Sequence, residues 1–193
     1  MASLKSYKGY LVLSVWISVI LTSCTNGGEE AQRQQRQVQI QQQIVELTDE
    51  FRADMELLLD HYFELKDALV ESDAEESSAK AKILGEFSDN LNPSGITPET
   101  ANIWATYQGQ ISSEAGNLAK RSDVDEQRIY FETISETMIE LADTFRPAGY
   151  EIYHQSCPMV RGESADWLSR EEPIANPYHG ERMLHCGEVV RKI

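Results

Sequence analysis

The chain has 193 residues, with 17 Lys and Arg against 32 Asp and Glu, and a formal net charge of −15 at pH 7. This charge argues against nucleic acid as a partner, because binding to nucleic acid depends on Lys and Arg side chains that neutralise phosphates. It also argues against adsorption to anionic lipid headgroups. The simplest explanation of the charge is a solvated acidic surface that keeps the protein soluble.

The first 23 residues have the pattern of an export signal. Lys5 and Lys8 precede an apolar run from Tyr10 to Leu21, and no Asp or Glu occurs in this part of the chain. The run is too short for a membrane-spanning helix, which needs about 20 apolar residues, but it has the length typical of a signal peptide. Residues 1–23 are therefore predicted to be removed, which leaves a net charge of −17, because the two lysines leave with them.

The residues around Cys24 predict what happens at the cleavage site. Leu21-Thr22-Ser23-Cys24 resembles a bacterial lipobox, in which a leucine and two small residues precede the cysteine that is acylated. Thr25, rather than an aspartate, follows the cysteine, which by resemblance to lipoprotein sorting signals favours the outer membrane. We therefore expect a lipoprotein held in the cell envelope through Cys24 and facing the periplasm. The alternative is an ordinary secretory signal, after which Cys24 is incidental.

A tether and four helical patterns follow the anchor. Residues 24–43 are predicted to be a tether, since they contain eight glutamines and too little apolar surface to fold alone. In residues 44–149, apolar side chains recur at steps of three and four, which is typical of one face of a helix. The four stripes are Ile44, Leu47, Phe51, Met55, Leu58, Tyr62, Leu65 and Leu69; Ile83, Leu84, Phe87 and Leu91; Trp104, Tyr107, Ile111, Ala115 and Leu118; and Phe131, Ile134, Met138, Leu141 and Phe145.

Capping and stop signals separate these four stripes. Asp73 with Glu76, and Ser122 with Asp125, resemble capping boxes, and Thr97-Pro98 has an N-cap hydroxyl followed by proline at the first helical position. Pro147 ends the fourth stripe. Four amphipathic helices with short connections pack as antiparallel neighbours. The predicted fold class is therefore all-α, an up-down-up-down four-helix bundle with an irregular segment over residues 150–193 packed on it.

The C-terminal segment concentrates the residues that could carry chemistry. Two clusters supply thiol, thioether and imidazole groups: His154, Cys157 and Met159 in the first, and Met183, His185 and Cys186 in the second. Such a soft ligand set is favoured by Cu(I). Zinc is a weaker candidate, because methionine is not among its usual ligands. In an oxidising compartment, Cys157 and Cys186 could equally form a structural disulfide.

Three other classes of site are not supported. Glu151-x-x-His154 has the spacing of half a di-iron site, but no second Glu-x-x-His occurs in the chain,. A haem bound by His61 with Met55 or Met138 is not favoured, since Cys-x-x-Cys-His is absent,. The nucleophile motif Gly-x-Ser-x-Gly is also absent,. We therefore expect a protein that is not an enzyme.

The C-terminal motifs resemble those of a known family. They are Tyr153-His154-x-x-Cys157-Pro158-Met159, Trp167-Leu168-Ser169, Asn176-Pro177-Tyr178-x-Gly180 and Met183-Leu184-x-Cys186-Gly187, with Tyr62 to Val70 in the first helix. Together they resemble a domain of unknown function that is found in envelope lipoproteins and at the C-terminus of periplasmic adaptors of heavy-metal efflux pumps.

The resemblance implies a role in metal handling. It implies His154, Cys157, Met159, Met183 and Cys186 as the residues to examine, whereas His185 is a candidate on its chemistry alone. The expected function is a lipid-anchored periplasmic protein that sequesters a soft metal, or delivers it to an efflux adaptor. The alternative is a structural or interaction lipoprotein stapled by a Cys157–Cys186 disulfide.

Overall fold

The computed structural model describes residues 47–193, which contain four helices followed by three strands. The predicted signal peptide and tether, residues 1–23 and 24–43, lie outside the described residues. The helices are α1 (Asp49–Val70), α2 (Ala74–Asn90), α3 (Pro98–Leu118) and α4 (Val124–Phe145). The strands are β1 (Tyr153–Val160), β2 (Glu163–Ser169) and β3 (Glu188–Lys192), with a 3₁₀ helix at Gly180–Met183 before β3.

Each helix begins at a side chain that accepts hydrogen bonds from the first turn. Thr48 accepts from the Phe51 amide, and Thr97 accepts from the Thr100 amide with Pro98 in the first turn. Asp73 accepts from the amides of Glu75 and Glu76, which confirms it as an N-cap. The predicted cap at Ser122 is wrong by one residue. Asp123 caps α4 instead, because its carboxylate accepts from the Asp125 and Glu126 amides.

The apolar stripes form the helical core. Almost all stripe residues of α1, α3 and α4 have no exposed surface. They run from Phe51 to Leu69 in α1, from Trp104 to Leu118 in α3 and from Phe131 to Phe145 in α4. The second stripe is only partly right, since Leu84 is buried whereas Ile83 is 42% exposed. None of the helices described over residues 47–193 is long and apolar enough to serve as a membrane span.

The prediction of an all-α fold with an irregular tail is wrong, because the tail folds into an antiparallel sheet of order β2-β1-β3. β1 and β2 form a hairpin, in which Val160 pairs with Glu163 across a two-residue turn. Arg161 and Gly162 have φ of 50° and 88°, which are the positive values that a tight hairpin turn requires. The fold is therefore mixed, with four helices and a three-stranded sheet.

The sheet shares one hydrophobic core with the helices. Trp167 and Leu168 of β2 have no exposed surface, and the Trp167 ring meets Tyr178 edge-on at 6.0 Å between centroids. Tyr178 in turn contacts Phe131 of α4 at 5.7 Å. Tyr62 of α1 accepts a hydrogen bond from the Leu168 amide at 3.1 Å. The C-terminal segment is therefore an integral part of the packed domain.

Candidate thiol site

Two cysteines from different parts of the C-terminal segment meet beside the sheet. Cys157 lies in β1 opposite Ala165 and has no exposed surface. Cys186 lies two residues before β3 begins and is half-buried. Their sulfur atoms are 2.8 Å apart, and both are free thiols. The sequence predicted that these residues form a pair, and the structure brings them together.

Gly187 allows this close approach. Its φ is 141°, which side-chain-bearing residues rarely adopt,. A Cβ atom at this position would lie 2.7 Å from the Ser156 carbonyl oxygen and 3.0 Å from the Trp167 ring. The backbone beside Cys186 therefore rests directly on β1 and β2, and a side chain at residue 187 would push it away.

Asn176 orders the turn that carries Cys186. Its side-chain amide donates to the Cys186 carbonyl at 2.8 Å, and its side-chain oxygen accepts from the Tyr178 amide at 2.8 Å. Its backbone N–H donates to the Leu184 carbonyl at 2.9 Å. Asn176 itself has no exposed surface. The position of Cys186 is thus set by a buried hydrogen-bond network, which makes it better defined than an ordinary surface loop.

Cys157 affects the ionisation of Cys186. The pKa of Cys186 is raised, first by its hydrogen bond to Cys157, then by burial, and then by the charge on Cys157. The raised pKa favours the protonated thiol at Cys186. Since the thiolate is the nucleophile and the metal ligand, any chemistry of the pair has to displace a proton first.

His154 lies on the other face of the sheet. Successive side chains of a strand point to opposite faces, and the β1–β2 register is regular from Tyr153 to Cys157. His154 therefore does not share the face of Cys157. Its Nε2 is 2.8 Å from a carboxylate oxygen of Asp166, and its Nδ1 is buried without a hydrogen-bond partner.

The other three predicted ligands lie in different settings. Met183 is half-buried and close in the chain to Cys186, whose backbone N–H donates to the Met183 carbonyl at 3.0 Å. Met159 follows Cys157 within the bulge of β1, and 58% of it is exposed. His185 is exposed, with its Nδ1 3.0 Å from the Ile174 carbonyl oxygen. Met183 is therefore the co-ligand candidate most closely tied to the thiol pair.

Within residues 47–193, no group of three or more His, Cys, Asp or Glu side chains is placed so that it could hold a metal ion. The candidate site is the thiol pair of Cys157 and Cys186, with Met159 and Met183 close to it in the chain.

The sequence motifs did not reveal the roles of the residues that build this site. Asn176 and Gly187 stood out only as members of the C-terminal motifs. The Asn-Pro pair at residues 176–177 is a turn signal, but a turn signal does not say which distant carbonyl the asparagine will bind. That information is contained only in the three-dimensional arrangement.

A comparison with known families gives one match. A family model described as a protein of unknown function (DUF3347) matches residues 58–149, which run from within α1 to the turn after α4 and make up slightly less than half of the chain. This confirms the predicted resemblance in its coarser form, a domain of unknown function, whereas the cysteine pair and its motifs lie beyond the matched segment. No curated protein and no solved structure matches the chain. The helical part of this protein is therefore similar to a family whose function is not known.

Proposed function

We propose that the protein is a lipid-anchored envelope protein that binds a soft metal ion, Cu(I) foremost, through Cys157 and Cys186. The observation that carries the proposal is the meeting of two free thiols with sulfur atoms 2.8 Å apart. Thiolate and thioether sulfur are ligands that Cu(I) prefers. Zinc commonly takes four ligands, so a thiol pair fits Cu(I) better. The proposed protein is a carrier or store of metal and not an enzyme.

Met183 is the favoured additional ligand. The Cys186 backbone N–H donates to the Met183 carbonyl at 3.0 Å, which holds the two residues close to each other in the turn. Met159 is a second candidate, because its exposed side chain is free to reorient. His154 no longer belongs to the proposed ligand set, since it faces the other side of the sheet and is bound to Asp166.

Metal binding requires the thiol pair to open. Bonds from a metal to thiolate sulfur are about 2.3 Å in zinc sites, so an ion between two sulfurs holds them up to about 4.6 Å apart. The present distance is 2.8 Å. Cys157 is fixed within β1, so the movement falls on Cys186 and its turn. The ion would then lie at the surface side of the pair, where a partner could reach it.

The acidic surface and the anchor support a role in capture at the membrane. The net charge of −17 that remains after removal of residues 1–23 raises the local concentration of cations,. The predicted lipid anchor at Cys24 would hold the site within reach of an efflux adaptor, the partner that the C-terminal motifs suggest. The proposed role is sequestration of the metal or its delivery to such an adaptor.

An anaerobic titration tests this function. The reduced full-length protein is titrated with Cu(I) against a competing chelator, beside the Cys157→Ser/Cys186→Ser double variant. We expect the native protein to withdraw one Cu(I) per chain and the variant to withdraw none. The apparent affinity should rise with pH, because protons compete with the metal for the thiolates, and the raised pKa of Cys186 strengthens this competition. Equal withdrawal by the two proteins would refute the proposal.

The methionine contribution has a matched control within the chain. Met183→Leu removes a sulfur beside Cys186 with little change of volume, whereas Met138→Leu makes the same change in the buried core of α4. We expect weaker Cu(I) binding only in the first variant. If the two variants bind Cu(I) with similar affinities, Met183 is not a ligand, and the two thiolates alone bind the metal.

The short distance between the sulfur atoms of Cys157 and Cys186 also supports a second candidate function, a structural disulfide. Sulfur atoms at 2.8 Å need only a small shift to bond, and the bond would fasten the start of β3 to β1. Closing a loop of about 30 residues stabilises a fold by about 3–4 kcal/mol. Mass spectrometry of protein alkylated in intact envelopes, without reductant, separates the two candidates. A pair that is always oxidised, even under copper stress, favours the disulfide.

A further inference from the structure

The two cysteines of the pair differ in their exposure to solvent. Cys157 is in the middle strand of the sheet and has no exposed surface. Cys186 is half-buried, in the turn between the 3₁₀ helix and β3. Thiol–disulfide exchange needs the attacking group to reach one sulfur in line with the bond that breaks, so access decides which sulfur reacts. This asymmetry gives the pair a defined direction of reaction.

We propose that Cys186 is the sulfur through which the pair exchanges with an external disulfide or dithiol, and that Cys157 is the buried sulfur that resolves the mixed disulfide. This inference rests on the thiol pair of the proposed function but does not depend on metal binding. The external partner is recognised by its chemistry, as a small disulfide or an exposed protein disulfide of the same compartment.

The oxidation proceeds in two balanced exchanges. The Cys186 thiol gives up its proton and its sulfur attacks one sulfur of the external disulfide. A mixed disulfide forms on Cys186, and the departing thiolate takes the proton. Cys157 then gives up its proton, attacks the Cys186 sulfur and releases the second external thiolate, which takes that proton. Two protein thiols are oxidised, and one external disulfide is reduced to two thiols.

The arrangement of the turn favours the second exchange. Cys157 is in contact with the Cys186 sulfur before any reaction, and the turn is held by Asn176 and seated on the sheet through Gly187. The resolving thiol therefore acts within the folded chain at a high effective concentration. A mixed disulfide at Cys186 should be short-lived, and the internal disulfide should be the stable oxidised product.

This exchange regulates the proposed metal site. An oxidised pair offers no thiolate to Cu(I), whereas reduction at Cys186 restores both ligands. Binding of the metal and oxidation of the pair then exclude each other. The lipoprotein would hold metal only while an external dithiol keeps Cys186 and Cys157 reduced.

Single-cysteine variants test the direction of exchange without any metal. The full-length Cys157→Ser and Cys186→Ser proteins, folded and metal-free, are incubated with oxidised glutathione. The modified peptides are identified by mass spectrometry, so that a reaction at Cys24 is distinguished from one at Cys157 or Cys186. We expect Cys186 of the first variant to be glutathionylated at least about tenfold faster than Cys157 of the second, because thiol reactivity follows access. In urea the two rates should become similar.

The unchanged protein provides a measurement that does not depend on the folding of variants. The reduced native chain is treated with less than one equivalent of an alkylating reagent, and the first site of alkylation is mapped. Alkylation at Cys186 before Cys157 supports the inference. Alkylation of Cys157 first, or Cys157 glutathionylation as fast as that of Cys186, would overturn it. Failure of Cu(I) binding with Cys186 still reacting first would overturn only the proposed metal function.

Discussion

Two glycines show how differently single residues contribute to this protein. Gly180 starts the 3₁₀ helix with φ of 55°, and a Cβ atom there would lie 2.9 Å from the Val70 carbonyl oxygen and 2.9 Å from an Arg128 guanidinium nitrogen. Gly109 lies on the solvent side of α3, with open space where a Cβ would be. The first glycine is required where the C-terminal segment meets the helices, whereas the second only weakens its helix.

The two alanine substitutions should therefore change stability in opposite directions. Gly180→Ala should lower the free energy of unfolding by about 2–4 kcal/mol, since it combines a strained backbone with a close contact to backbone and guanidinium atoms. Gly109→Ala should raise it by about 0.5–1 kcal/mol, the usual difference between glycine and alanine inside a helix. Urea unfolding followed by circular dichroism measures both. A neutral Gly180→Ala would contradict the described contact.

At the residue scale, the sequence predicted which cysteines belong together, since only Cys157 and Cys186 remain once Cys24 is assigned to the anchor. It did not predict that His154 would face away from them. Residues three apart in a helix share a face, but in a strand they point to opposite faces. The proposed ligand set depended on the local conformation at Tyr153 to Met159, which the sequence analysis had treated as irregular.

At the scale of elements, ion pairs join the C-terminal segment to the helices. Four arginines of the segment reach four carboxylates of α1 and α4, in the pairs Arg161–Glu132, Arg170–Asp60, Arg182–Asp125 and Arg191–Asp143. Each pair is partly exposed, so each contributes at most about 1 kcal/mol. Their distribution around the segment fixes its orientation on the helices more than it adds stability.

Asp125 makes the ion pairing between the C-terminal segment and α4 dependent on pH. It accepts hydrogen bonds from Arg182 and from the buried Arg128. The Arg182 hydrogen bond is the largest cause that lowers the pKa of Asp125 below its ordinary value of 3.8, and the Arg128 hydrogen bond adds to it against the opposing effect of burial. A lowered carboxyl pKa stabilises the fold above the ordinary value, and this stabilisation is lost as the pH falls through the folded-state pKa.

Asp125→Asn should therefore be less stable than the native protein at pH 6, and the difference should shrink as the pH falls below the ordinary carboxyl pKa of 3.8 toward the lower pKa of Asp125 in the fold,. Urea titrations between pH 6 and pH 2 measure the difference. Asp89→Asn, an exposed change at the end of α2, is the control and should show a smaller difference at pH 6. A difference for Asp125→Asn that stays constant with pH would contradict the described ion pairs.

The helices were predictable and the sheet was not, for a physical reason. α1, α3 and α4 each bury one face, so their sequences show the period of a helix. β1 is the middle strand, and its neighbour β2 buries residues on both faces, as adjacent Trp167 and Leu168 show. Strands covered on both faces lose the alternation of apolar and polar residues. Pro158 made β1 harder to predict as a strand, since proline inside a strand is tolerated mainly at bulges. In the structure Pro158 lies within the bulge between Cys157 and Val160.

At the scale of the whole molecule, helices and sheet depend on a common core. Phe131 of α4 stacks with Tyr62 of α1 on one side and contacts Tyr178 of the C-terminal segment on the other. The Tyr62 hydroxyl bridges Ser135 of α4 and the backbone of Leu168 in β2. The family match ends at residue 149, but the packing continues through Leu168 of β2 and Tyr178.

A chain that ends at Gly149 should therefore not fold like the complete protein. It would expose Phe131 and leave the Tyr62 hydroxyl without the Leu168 amide. We expect a broad, weakly cooperative thermal transition and increased binding of a hydrophobic dye, whereas the full chain should unfold in a single transition seen alike by tryptophan fluorescence and circular dichroism. An equal melting temperature for the chain ending at Gly149 would show that the helices fold independently.

The strand order β2-β1-β3 also means that a distant part of the segment completes the sheet. β1 and β2 are joined by a two-residue turn, whereas β3 pairs with the other edge of β1 after the turn that carries Cys186. Until β3 has paired, one edge of β1 is open and Cys157 lacks its neighbouring sulfur. A molecule with β3 detached would present an unpaired strand edge and a lone thiol, both of which favour aggregation and wrong pairing. The contact that brings the two thiols together thus also protects the molecule from association with its own copies.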